Sequence, residues 1–127
     1  MLERTSDSMF TDGWEQNWHI VDGDELLAKE LMPVFEAYLV SLQAKGASKS
    51  TMTRHKNACR AIGGYIMDQV FKYEWEHLDE PWNGEEIIFQ CVYGFSGPLI
   101  HQDNETWQKE IDTTSRKLYN FILKGNV

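Results

Sequence analysis

The sequence predicts an all-α fold of four helices behind an irregular N-terminal arm. Three observations carry that expectation. Apolar residues return every three or four positions over three long windows, the spacing that lines one face of a helix. Each window opens near a residue able to cap a helix, and glycines follow two of them where a helix would end. The one unbroken apolar run, Ile87 to Tyr93, has no second candidate strand to pair with.

Taken in order, residues 1–21 keep no sustained period and place Gly13, Trp14, Trp18 and Ile20 in a polar setting. They read as a mobile arm that docks through its tryptophans, ahead of a single helical domain over 22–127. The first helix begins after Asp22 or Asp24, either of which can cap it, and carries Leu27, Leu31, Val34, Phe35, Tyr38, Leu39 and Leu42 on one face until Gly46. Pro33 lies inside this helix, so a kink or break near Leu31 and Met32 is expected. Ser48 or Ser50 caps the second helix, where Met52, His55, Cys59, Ile62, Ile66 and Val70 form the stripe. Its Gly63-Gly64 pair suits a bend or the close approach of another helix. Glu74 to Asn83 is acidic, contains Pro81 and closes on Asn83-Gly84, so it reads as a loop. Periodicity cannot separate helix from strand over 87–93; the missing partner strand favours helix. A last helix opens at Asp103 or Asn104, carries Trp107, Ile111, Thr114, Leu118, Phe121 and Ile122, and stops before Gly125.

Five Trp, five Tyr and six Phe in 127 residues supply enough apolar surface for one core without disulfides or metals. Cys59 and Cys91 stand far apart and outside any CxxC pattern, so buried, reduced thiols are expected. The N-terminus lacks a basic start and an apolar run, and no stretch approaches the roughly 20 apolar residues of a membrane span. A cytoplasmic protein with no membrane contact is the expectation.

A net charge of −8 argues against a protein that coats nucleic acid over its whole surface, but the charge is unevenly spread. Residues 1–44 are net −7, 45–73 net +5, 74–112 net −9 and 113–127 net +3. The bases fall in two clusters: Lys45, Lys49, Arg54, Lys56, Arg60 and Lys72, then Arg116, Lys117 and Lys124. The run from Lys45 to Arg60 straddles a turn and a helix start, where N–H groups and the helix dipole favour anions. A solvated face that balances an acidic protein is the plainer account of the same residues.

No GxSxG, P-loop, HExxH or Rossmann fingerprint occurs, so neither an enzyme nor a cofactor is expected. Glu74-Trp75-Glu76-His77 has the Glu-x-x-His spacing of helical di-iron sites, but such sites need a second copy, and the motif occurs once. His55 and Cys59 lie four apart and could share a metal with Cys91 or another histidine. Both belong to the apolar stripe, which favours a buried imidazole and thiol instead.

Phe35-Glu36-Ala37-Tyr38-Leu39 followed by Gly46-Ala47-Ser48-Lys49-Ser50-Thr51 resembles the N-terminal SAM-like core-binding domain of tyrosine recombinases, the phage-integrase family. Ser115-Arg116-Lys117-Leu118-Tyr119-Asn120-Phe121-Ile122 is similar to that family's closing Arg-x-Phe-Tyr-x-Tyr-Leu pattern, and the likeness covers roughly residues 30–66 and 107–123. It implies a four-helix SAM-like orthogonal bundle that grips one face of double-stranded DNA through phosphates. Carried over by position, the candidate contacts are Lys45, Lys49, Arg54, Lys56, Arg60 and Arg116. The sequence departs from the pattern at His55, where an aromatic is common, and at Asp112, where an apolar residue is expected. No His-x-x-Arg occurs and no room remains for a catalytic domain, so recombination by this chain alone is not expected. The rival expectation is an acidic protein-interaction module that docks a basic partner or mimics DNA. Trp14, Trp18, Trp75 and Trp82 would serve that interface, unless they fold back to seal the bundle.

Overall fold

The computed structural model describes residues 10–20, 24–71, 83–92, 100 and 104–125. Among them every regular element is a helix: α1 (Trp14–Asn17), α2 (Glu25–Ala44), α3 (Lys49–Phe71), α4 (Gly84–Val92) and α5 (Glu105–Leu123). The all-α expectation holds, with one helix more than the periodicity gave. α1 is a single turn, too short to show a period, and it lies in the segment read as an arm.

The described part of that segment, residues 10–20, is docked. Trp14 is 2% exposed and Trp18 5%, and both stack at an angle against Phe35 of α2, with ring centroids 6.0 and 6.2 Å away. Glu36 holds the segment from below: its Oε1 accepts from the Phe10 and Thr11 backbone N–H groups at 2.9 and 3.1 Å and from the Thr11 hydroxyl at 3.1 Å. Its Oε2 is buried without a hydrogen-bond partner, so the three donors on Oε1 carry the compensation for burying this group. The Trp18 indole N–H donates to the Arg60 carbonyl at 3.0 Å.

α2 runs unbroken through Pro33, against the expected kink or break. Pro33 is exposed, so the Lys29 carbonyl that loses its partner faces water, while buried Leu27, Leu31, Val34, Phe35, Tyr38 and Leu39 anchor both halves. Asp24 sits at the N-cap position but makes no side-chain cap; its carboxylate instead accepts from the Ile20 N–H and pairs with His19 Nδ1 at 3.1 Å. The helix ends in a Schellman turn: the Ala47 N–H reaches the Leu42 carbonyl at 3.2 Å and the Gly46 N–H reaches that of Gln43 at 3.0 Å, with Gly46 at φ 88°.

Ser48 then caps α3, its Oγ accepting from the Thr51 N–H at 3.1 Å. α3 buries His55, Ala58, Cys59, Ile62, Gly63, Ile66 and Met67 against α2 and α5. The apolar run over 87–92 is helical, its Ile87, Ile88 and Val92 buried between α2 and α5. Gly84, read as the end of a loop, is the first residue of α4 and passes so close to α2 that a Cβ there would stand 1.8 Å from the Glu30 carbonyl oxygen. Asn104 caps α5 by accepting from the Trp107 N–H at 3.1 Å. α5 buries the expected stripe with Ser115 added, but Trp107 is 56% exposed rather than part of the core. Among the described residues no helix is long and apolar enough to cross a membrane.

Candidate functional site

α2 delivers its C-terminus, and α3 its N-terminus, to one end of the bundle. α5 runs antiparallel to α3, so its C-terminal half arrives at the same end: Thr114 Oγ1 lies 3.2 Å from His55 Nδ1, and Tyr38 of α2 packs edge-on to Phe121. Arg54 of the first basic cluster is thereby brought beside Lys117 of the second. Residues 37–67 carry five Lys or Arg and no acid, and 113–125 carry three and no acid. Glu25 and Glu30, with Glu85 and Glu86, lie at the opposite end, where Gly84 meets the backbone of Glu30.

Lys45 and Lys49 flank the Gly46 turn and are exposed. At roughly 100° per residue, Lys49, Lys56 and Arg60 share one face of α3, whereas Arg54 is carried round to the flank that faces α5. Arg60 is exposed beside α1; its guanidinium reaches Asn57 Oδ1 at 3.4 Å, and it lines a cavity of about 650 Å³ with Trp18 and Trp107. Arg54 is held by two hydroxyls of the first turn, Ser50 Oγ at 3.0 Å and Thr51 Oγ1 at 3.3 Å. Thr51 is itself held by Ser48, whose hydroxyl donates to Thr51 Oγ1 at 3.0 Å. Arg116 is exposed but does not join Arg54. The neighbouring Lys117 does: it lines, with Arg54 and His55, a cleft of about 450 Å³ between α3 and α5.

Sequence reasoning therefore missed Lys117 and Lys109, both of which line that cleft. Register was the available signal, because Lys117 follows Thr114 by three and so borders the apolar stripe on one flank, while Arg116 faces away from it. His55 is 6% exposed, with the Tyr38 hydroxyl at 3.1 Å and the Thr114 hydroxyl at 3.2 Å from the same Nδ1. Burial holds its pKa below the ordinary histidine value, and Lys117 and then Arg54 push it further down. Burial raises the Cys59 thiol, and the Tyr38 hydroxyl with it; the Cys91 thiol is pushed up to about 12.

These placements bear on several other readings. Cys59 is fully buried and His55 is bonded to hydroxyls, and no cluster of three metal-ligating groups occurs among the described residues. The Glu74-to-His77 motif, Lys72, Trp75 and Trp82 lie outside the described residues. Trp14 and Trp18 fold back onto the core, which removes them from any exposed docking surface. In comparisons with known proteins no family model matches the chain, and neither does any curated protein or solved structure.

Proposed function

We propose that this protein is a non-catalytic DNA-binding module of the integrase core-binding kind, holding duplex phosphates against the basic end of its bundle. The observation that carries this reading is the segregation of charge: eight bases and no acid over 37–67 and 113–125 in a chain of net charge −8. Screening limits a surface charge to about 8–10 Å at physiological salt, so a phosphate at the Gly46 turn feels Lys45 and Lys49 far more than the carboxylates at the N-terminal end of α2; Glu110 is the acid that lines cavities with Arg54 and Arg60. The acidic remainder repels DNA from the other faces and so orients the encounter. Lys45 and Lys49 reach out from the rigid Schellman turn, and the α3 N-terminus adds backbone N–H groups between them. Contacts of this type position a protein on DNA without reading bases.

The test is Lys45→Glu with Lys49→Glu, assayed by anisotropy of a labelled duplex. Both side chains are exposed and lie outside the buried core, so the circular dichroism spectrum should be unchanged while binding is lost. Retained binding by the folded double variant would contradict the assignment.

A further inference from the structure

We propose that the cleft between α3 and α5 is a discrete phosphate-binding site, in which Arg54 and Lys117 hold the anion from opposite walls above His55. The cleft is distinct from the Gly46 turn and was not part of the sequence expectation. Its walls are built for an anion: two bases on α5, Lys109 and Lys117, face one on α3, Arg54, with threonine hydroxyls between them. Arg54 enters already fixed by Ser50 and Thr51, so little rotamer freedom remains to be lost on binding. Glu110 is the one acid among the described lining residues.

The chemistry at the floor points the same way. His55 is surrounded by Tyr38 from α2, Cys59 on its own helix, Arg54 one residue earlier, and Lys117 from α5. None of these can be negatively charged near neutral pH, because burial raises both Tyr38 and Cys59. Lys117 and Arg54 each oppose protonation of His55, so the positive field of the two walls reaches the ring although Glu110 lines the same cleft. An anion seated there neutralises that field. A phosphate of about five heavy atoms is far smaller than 450 Å³, so the group carrying it, a small phosphomonoester or the DNA backbone, has room to enter with it.

The experiment follows the His55 imidazole by nitrogen-15 NMR in the full chain, titrating pH with and without pyrophosphate, 5′-adenosine monophosphate or a DNA duplex. An upward move of the His55 midpoint with the small phosphates, lost in Lys117→Gln, establishes the site for a free phosphate ligand. A move seen only with the duplex, and again lost in Lys117→Gln, establishes it for a backbone phosphodiester. The affinity should fall at least about tenfold in the variant, the loss expected for one charge-assisted hydrogen bond. No move with any of the three overturns the proposal. Lys45→Glu with Lys49→Glu leaves the cleft intact, so this site and the end-wide DNA contact fail separately; Lys117 is exposed, and its replacement by Gln is read alongside the circular dichroism spectrum.

Discussion

Gly63 and Gly64 are neighbours in the middle of α3, and the same substitution at each should move stability in opposite directions. Replacing a helix-interior glycine by alanine stabilises by about 1 kcal/mol through backbone entropy alone. At Gly64 nothing opposes that gain: the added Cβ meets Trp18 at 3.6 Å, an ordinary contact. At Gly63 the Cβ would lie 2.2 Å from the Trp18 ring, which must retreat by more than about 1 Å. The ring has little freedom, being 5% exposed, wedged against Trp14 and Phe35, and tied to the Arg60 carbonyl. Overpacking of this kind costs about 1–3 kcal/mol, and loss of the indole bond about 1 kcal/mol more. Gly64→Ala should therefore gain about 1 kcal/mol and Gly63→Ala lose about 1–3 kcal/mol net, a gap of roughly 2–4 kcal/mol between adjacent sites. Urea denaturation followed by circular dichroism reads it directly, with the midpoints moving apart at constant slope. If Gly63→Ala is as stable as Gly64→Ala, Trp18 does not sit on this glycine and the docking of α1 is wrong.

Glu36→Ala should cost about 3 kcal/mol, because the Phe10 and Thr11 amides and the Thr11 hydroxyl lose their acceptor together, and Glu36→Gln about 1 kcal/mol; hydrogen exchange at the Thr11 amide should speed up in both, and an unchanged rate would refute the role given to Glu36. His55 contributes pH dependence of a definite sign. Its folded pKa lies below that of the unfolded chain, so its contribution is complete above about pH 6.5 and is lost as pH falls below that value, when the unfolded state takes up a proton the folded state resists. One such group contributes at most about 1.4 kcal/mol per pH unit, and His55→Gln should lose less stability between pH 7.5 and 5.5 than the native protein does; equal losses would contradict the assignment.

The long helices were legible because their stripes follow helical periodicity and their ends carry local signals: Gly46 and Gly125 act where the sequence placed them, and Ser48 and Asn104 are each one of the two caps it offered. What escaped depends on contacts between distant residues. α1 has one turn and no period, and its place is set by a glutamate 25 residues away and by a glycine that accepts an indole. Asp24 looked like a cap because caps are local, yet its carboxylate serves His19 and Ile20 instead. Pro33 breaks a helix in isolation but not one anchored on both sides. The basic clusters were visible as composition. That Arg54 meets the second cluster, and does so through Lys117 rather than Arg116, required the antiparallel packing of α5 on α3 and its register.

The most direct test of the functional account is anisotropy of a labelled DNA duplex titrated with the protein at low salt and at about 0.2 M, a range over which phosphate-driven binding falls steeply. The account predicts binding at low salt that weakens sharply at the higher concentration and is lost in Lys45→Glu with Lys49→Glu. Absence of binding even at low salt would contradict it and leave the basic end as a charge-balanced surface of a helical scaffold.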